Sequence, residues 1–261
     1  IVSGWTKTLI FIVVAPLIGL IVGLVITNAI HWICRDSTPT RVDAWFRRLQ
    51  LVSAAAYSLM HGANDAQKTM GVIAALLAGA GYLGSEAMSK TFDIPQWVAI
   101  ASYATIALGT VWGGWRIIET MGLKLTSLNA KTGVAANIGA VTAIFGATNM
   151  GVPISTTHAA ASSVVGAGTA SGRGANWKVV GEMVIAWIIT IPATSTIAFV
   201  VYKMTQFPTP MAVFSVGLLV LVVGGAIVWA MRHSITAKDI EEELPPAEPV
   251  VLVTDAEHAA A

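Results

Sequence analysis

The sequence predicts an all-α membrane protein, a polytopic helical bundle in which some helices are broken. Of its 261 residues, 55% are hydrophobic and only 11% are charged, whereas soluble domains carry about 25% charged residues. Several uncharged apolar runs are long enough to cross roughly 30 Å of hydrocarbon as helices. Two polar motifs interrupt long apolar segments, and their Gly, Asn and Pro residues disfavour continuous helix.

Composition also argues against several kinds of site. The net charge of +1 does not suggest a nucleic-acid partner, and the single Cys34 excludes an internal disulfide. No Cys/His cluster indicates a metal site, and no cofactor is predicted. The chain begins with Ile1 rather than Met and shows no signal-peptide pattern. We therefore expect the natural protein to extend upstream of residue 1.

The first half of the chain contains three predicted membrane segments. Residues 8–30 form the first span, and a basic loop follows it. Residues 49–60 are apolar but too short to span alone. They lead through the octapeptide Gly62–Thr69 into more apolar chain, so we expect one broken span here. Residues 94–115 form the next crossing.

The second half begins with a long uncharged segment, residues 132–172. Gly151-Val152-Pro153 interrupts it, and the segment suits either two short crossings or a re-entrant hairpin. The last two spans cover residues 183–202 and 211–231. The transmembrane domain is therefore residues 1–231, and the polar, acidic residues 232–261 are predicted to be a disordered cytoplasmic tail.

The distribution of Lys and Arg predicts the orientation. With the loop after the first span in the cytoplasm, eleven of these residues fall inside and three outside. Residue 1 is then outside and the tail inside, in a multi-pass protein of the cell membrane.

The octapeptide places a carboxylate and an ammonium at membrane depth, at about 2.5–3.5 kcal/mol for each charge. Gly62 is a poor helix former and Asn64 or Asp65 is a good N-cap, so we expect the helix to break and restart here. In the functional interpretation Asp65 holds a coupling cation or proton, and Asn64 and Gln67 add neutral oxygens. In the alternative, Asp65 and Lys68 share a face and only hold two helices together.

The second motif follows the Gly-Val-Pro interruption. Ser155 or Thr156 is expected to cap a new helix that runs to about Gly168. Ser155, Thr156 and Thr157 then lie in a first turn whose backbone N–H groups are free, which is the chemistry of an anion site. Ordinary capping and Ser/Thr packing between membrane helices remain the alternative.

Other polar residues near the two motifs have simpler interpretations. His61 and His158 are each interpreted as packed, hydrogen-bonded residues. Lys68 either meets the anion or only neutralises Asp65, and the spacing leaves both open. Close helix packing is predicted at the glycines at positions 71, 79, 81, 84, 109, 113 and 114.

Together the motifs offer a carboxylate for a cation and donors for an anion. A bare anion facing an acid would be repelled, and a bound Na⁺ or H⁺ between them removes that repulsion. The pair therefore predicts cation–anion symport.

The same residues resemble a known family. Residues 62–68, Gly-Ala-Asn-Asp-Ala-Gln-Lys, resemble the GxND signature of the inorganic phosphate transporter (PiT) family. Residues 151–158, Gly-Val-Pro-Ile-Ser-Thr-Thr-His, resemble its G-x-P-x-S-T-T-H motif. Residues 41–50 and 109–116 are also similar to bacterial members, and the resemblance covers about residues 1–205.

The resemblance implies a cation-coupled (H⁺ or Na⁺) inorganic phosphate symporter of the bacterial inner membrane, built as an inverted repeat. This chain would be its C-terminal half, with the second repeat at residues 48–204 and the N-terminal repeat missing. The implied phosphate contacts are Ser155, Thr156, Thr157, Asn64 and Asp65. The implied coupling-ion contacts are Asp65, Asn64 and Gln67.

Several properties stay open at this stage. They include Na⁺ against H⁺ coupling, transport of free phosphate or of a divalent-metal complex, and the oligomeric state, a homo-oligomer included. We expect this half of the protein to insert into the membrane without transporting phosphate.

A symporter for another oxyanion such as sulfate is the main alternative function. An intramembrane hydrolase using Ser155, His158 and Asp65 is disfavoured, and no enzyme is predicted.

Overall fold

The structure, a computed structural model, describes residues 2–83, 94–236 and 238–240, with only the backbone for residues 2–5. Most of the predicted tail, residues 232–261, lies outside these residues. The described chain is helical, which confirms the all-α prediction. Its helices are α1 Val2–Ile33, α2 Pro39–Gly79, α3 Gln96–Ile118 with a π-helical extension Glu119–Lys124, α4 Ala130–Asn149, α5 Thr156–Ala170, α6 Trp177–Thr205 and α7 Thr209–Arg232.

Four described helices are long and apolar enough to cross a membrane by length and composition. They are Thr6–Ile33, Gln96–Lys124, Trp177–Thr205 and Thr209–Arg232. No residue of α6 or α7 is buried within the described chain. Most of their apolar side chains face outward, as they do on helices surrounded by lipid, although Val180, Met183 and Trp187 of α6 pack partly against the core.

The predicted break at the first motif is wrong, because α2 runs without interruption from Pro39 to Gly79. A glycine inside a helix costs only about 1 kcal/mol relative to alanine, so Gly62 alone does not end it. Asn64 and Asp65 do not cap a new helix. Their side chains instead bond sideways to α4 and α5, which leaves the backbone ladder of α2 intact.

The predicted interruption of the second segment is confirmed between α4 and α5. Gly151 takes the left-handed conformation with φ +66°. The N–H of Val152 reaches the carbonyl of Ala147 at 3.0 Å, and that of Gly151 reaches Thr148 at 2.9 Å. This is a Schellman C-cap. Pro153 follows directly and excludes the α conformation for Val152.

Helices α4 and α5 form a hairpin whose two ends meet at one end of the bundle, here called the base. There the N–H of Asn176 donates to the carbonyl of Leu125 at 2.9 Å, and Thr126 Oγ1 donates to the carbonyl of Gly174 at 2.8 Å. The tip of the hairpin, residues 150–155, lies at the other end.

The hairpin tip stops part-way along α2. Helix α4 runs beside α2 in the same direction, since Asn137 Nδ2 donates to Ser53 Oγ at 3.0 Å and Asn64 Nδ2 donates to Thr148 Oγ1 at 3.0 Å. Beyond the tip, α2 continues from Lys68 to Gly79, about 16 Å further. The tip of the hairpin therefore lies beside the middle of α2, at the level of the first motif.

Helix α1 packs against the hairpin through glycines. A Cβ atom placed on Gly19 or on Gly23 would lie 2.5 Å from a backbone carbonyl oxygen of α5. A Cβ on Gly166 of α5 would lie 2.2 Å from the carbonyl oxygen of Leu20, and one on Gly139 of α4 would meet both Ser163 of α5 and the backbone of α1. Close packing was predicted at other glycines, and the structure does not show it there: a Cβ would meet nothing within 4 Å at positions 71, 79, 81, 109 and 113 and only Thr110 at 3.9 Å at Gly114, while Gly84 lies outside the described residues. Most of the crowded glycines lie in the α1–hairpin seam.

This seam makes a prediction about stability. Gly23→Ala should lower the free energy of unfolding by about 1–3 kcal/mol, because the added methyl group forces α1 and α5 apart. Thermal unfolding in detergent micelles measures the effect. Gly217→Ala on α7, where a Cβ meets nothing within 4 Å, is the matched control. Equal melting temperatures for the two variants would contradict the role of the seam.

Candidate functional site

Asp65 lies at the centre of the polar contacts between α2 and the hairpin tip. Its Oδ1 accepts a hydrogen bond from Lys68 Nζ at 2.7 Å. Its Oδ2 accepts one from Thr156 Oγ1 at 2.9 Å and lies 2.9 Å from His61 Nε2. The charge of the carboxylate is thus compensated from one turn before it, one turn after it and the facing helix.

Lys68 also binds the hairpin itself. Its ammonium donates to the carbonyl oxygen of Ile154 at 2.5 Å, directly before the cap of α5. The predicted Asp65–Lys68 pair is therefore present, and it does hold two elements together. A structural role for the pair and a functional role for the site are compatible, because the pair sits where the two motifs meet.

Asn64 is 3% exposed and has one satisfied and one unsatisfied group. Its Nδ2 donates to Thr148 Oγ1 at 3.0 Å. Its Oδ1 is buried and has no hydrogen-bond partner within the described chain. A buried oxygen without a donor is costly, and at a polar site it is an available ligand atom.

A cavity of about 420 Å³ opens between α2 and the hairpin tip. It brings together three residues of the first motif, Asn64, Gln67 and Lys68, with Thr148 of α4. The rest of its wall comes from Gly71, Val72, Ala75, Gly151, Val152 and Pro153. The second motif therefore lines this cavity through Gly151, Val152 and Pro153, and its hydroxyl residues Ser155, Thr156 and Thr157 do not.

The first turn of α5 forms as predicted. Ser155 is the N-cap, and its Oγ accepts a hydrogen bond from the His158 N–H at 3.3 Å. Thr156 is 3% exposed and gives its single hydroxyl proton to Asp65, so it has none left for an anion. Ser155 and Thr157 are exposed, and the N–H groups of the first helical residues lack partners on the preceding turn.

The imidazole of His158 packs on another helix. Its ring lies 3.9 Å from the ring of Trp187 on α6, centroid to centroid, which agrees with the packed role predicted for it. Ser155 is used in capping and Asp65 is bound by Thr156, Lys68 and His61. The three residues of the rival hydrolase are therefore each engaged elsewhere, and no Ser–His–Asp triad forms.

Three participants were missed by sequence reasoning. His61 was treated as a packing residue, although its position one turn before Asp65 was a usable signal. Thr148 lies within the uncharged segment of residues 132–172, but nothing in its spacing indicated a bond to Asn64. The carbonyl of Ile154 is a backbone group and carries no signal in the sequence.

A helical membrane fold with a charge-compensated polar site at the tip of a helical hairpin is an arrangement that secondary transporters use. The sequence identifies the family more closely than the fold does. Residues 34–198 match the Phosphate transporter family, and the chain belongs to this family. It is a multi-pass membrane protein.

Individual relatives agree with the family. The chain is 47% identical over 201 residues to the "Probable low-affinity inorganic phosphate transporter" of Rhizobium meliloti. It is 37% identical over 201 residues to the protein of the same name from Bacillus subtilis. Each match covers 77% of this chain and 59% of the relative. The chain thus spans about three-fifths of the length of these relatives.

One solved structure shares the fold. It is described as "The sodium-dependent phosphate transporter" and superposes with a TM-score of 0.52 at 25% sequence identity. The match covers 70% of this chain and 53% of that chain.

The hydrogen bond from Thr156 to Asp65 should contribute measurably to the stability of the fold. Thr156→Val keeps the shape and removes the donor, so the free energy of unfolding should fall by about 1.5–3 kcal/mol, as for a hydrogen bond to a charged group. Thr156→Ser keeps the donor and should retain most of the wild-type free energy of unfolding. The matched control is Thr157→Val on the exposed neighbour, with a change within about 0.5 kcal/mol. Chemical denaturation in micelles distinguishes them, and equal losses at both positions would rule the bond out as a stabilising contact.

Proposed function

We propose that this chain forms the phosphate and coupling-ion site of a cation-coupled inorganic phosphate symporter. The observation that carries the proposal is the hydrogen bond from Thr156 to Asp65, which joins motifs 91 residues apart. It places the start of α5 against the charged turn of α2. Both relatives carry the name "Probable low-affinity inorganic phosphate transporter", which supports phosphate as the transported anion.

The anion side of the site is the N-terminus of α5. A helix N-terminus carries a partial positive charge and unpaired N–H groups, which suit a tetrahedral oxyanion. The exposed hydroxyls of Ser155 and Thr157 add donors without adding a fixed charge. Thr156 contributes by holding the turn against α2 rather than by donating to phosphate in this conformation.

The cation side is the turn of α2 that carries Asn64 and Asp65. Asn64 Oδ1 has no partner within the described chain, and Asp65 supplies a carboxylate. Gln67 lies on the cavity wall beside Asn64 and can add an amide oxygen. Oxygens of these kinds bind H⁺ or Na⁺, the fold neighbour is described as sodium-dependent, and Lys68 already holds Oδ1 of Asp65.

Asp65 is the first residue to test. Asp65→Asn in the full-length protein should abolish coupled uptake, because the turn of α2 loses its carboxylate and Lys68 loses its counter-charge. Radiolabelled phosphate uptake in cells checks this, with immunoblots of the membrane fraction to confirm insertion. Asp43→Asn is the matched control on the same helix, since Asp43 is an exposed residue paired with Arg47 at the base. Normal uptake by Asp65→Asn would remove Asp65 from the mechanism.

Substrate identity is tested by competition. Arsenate should compete with phosphate within about tenfold, because it matches phosphate in shape, charge and bound protons. Sulfate should compete at least about 100-fold more weakly, since it has no proton to donate to the orphaned oxygen of Asn64 and a site that lacks its partner discriminates strongly. Equal competition by sulfate and arsenate would favour the rival, a transporter of another oxyanion.

A further inference from the structure

Among the described residues the ammonium of Lys68 donates to two oxygen atoms, both of kinds that bind alkali cations. It lies 2.7 Å from a carboxylate oxygen of Asp65 and 2.5 Å from the carbonyl oxygen of Ile154. The amide oxygen of Asn64, one helical turn before Lys68, is buried without a partner in the described chain. Carboxylate, backbone carbonyl and side-chain amide oxygens together form a typical donor set for a hard metal cation.

The two oxygens of Asp65 have different partners. Thr156 and His61 both contact Oδ2, whereas Oδ1 is contacted by Lys68. Removal of the ammonium would therefore leave Oδ1 and the Ile154 carbonyl facing a vacated position. Lys68 is on the wall of the cavity of about 420 Å³, so a small cation could reach that position from the cavity.

The local charge decides which cation can occupy the position between Asp65 Oδ1 and the Ile154 carbonyl. With Lys68 in place the Asp65–Lys68 pair is neutral, and a Na⁺ at the same oxygens would put two positive charges beside one carboxylate. At a separation of about 4 Å two like charges repel by about 4 kcal/mol even at an effective dielectric of 20. The tethered ammonium is also present at a high effective concentration, so dissolved Na⁺ competes poorly with it.

We propose that Lys68 is a built-in substitute for an alkali cation at Asp65, and that it makes transport by this protein independent of Na⁺. The inference rests on the proposed symport function and assigns its ion specificity to one residue. Loss of the ammonium should convert the position into a Na⁺ site formed by Asp65, the Ile154 carbonyl and Asn64.

A binding measurement tests this without requiring transport. The melting temperature of the purified full-length protein is compared in NaCl and in choline chloride of equal concentration. Wild type and Lys68→Arg should show the same value in both salts. Lys68→Gln should be destabilised in choline chloride and recover in NaCl, because Na⁺ then neutralises Asp65. The double variant Asp65→Asn, Lys68→Gln should lose this recovery, and Lys178→Gln, at the base, is the matched control.

Transport supplies the second arm, with radiolabelled phosphate uptake measured in proteoliposomes. Wild-type uptake should be equal in the two salts, and uptake by Lys68→Gln should rise at least about fivefold in NaCl, the size of an ordinary coupling energy. Na⁺-stimulated uptake by wild type would overturn the inference and leave the phosphate function standing. Lys68→Gln that is equally unstable in both salts would also overturn it. Wild type that transports no phosphate in either salt would instead refute the proposed function.

Discussion

The polar interior of this protein depends on one constraint: the negative charge of the Asp65 carboxylate must be balanced by hydrogen-bond donors and positive groups. An ionised side chain in an apolar helical bundle must find partners, since water is not available to solvate it. Lys68 and His61 come from the same helix, but Thr156 comes from the hairpin. Because the third partner belongs to another element, satisfying the charge also fixes the position of the hairpin tip against α2.

Two different forces hold that hairpin. At its tip, hydrogen bonds join α2 to Thr148, Ile154 and Thr156. Along its sides, glycines let α1 approach the backbones of α4 and α5 so closely that an added Cβ would clash. Close packing of this kind gives dispersion energy where no hydrophobic force acts between helices. The packing sets where the hairpin lies, and the polar bonds set how far its tip reaches along α2.

The position of the tip brings a helix N-terminus to a turn whose charges already cancel. A free carboxylate there would repel an anion, whereas a neutral Asp65–Lys68 pair does not. The partial charge of the first turn of α5 can then act on an oxyanion without opposition. The unpaired amide oxygen of Asn64 is the remaining acceptor beside it. The same neutrality leaves little attraction for a further cation at Oδ1 of Asp65.

The sequence by itself determined the helical membrane class, the approximate spans, a helix cap at Ser155 or Thr156 and the Asp65–Lys68 pair. These follow from composition and from neighbours at most a few residues apart, where helix geometry is known in advance. It did not determine that α2 is continuous, that His61 and Thr148 join the site, or which glycines are crowded. Each of these depends on contacts between distant segments. Asn64 bonds to α4 and Asp65 to α5 instead of capping a new helix, and only the packed bundle shows that those partners are within reach.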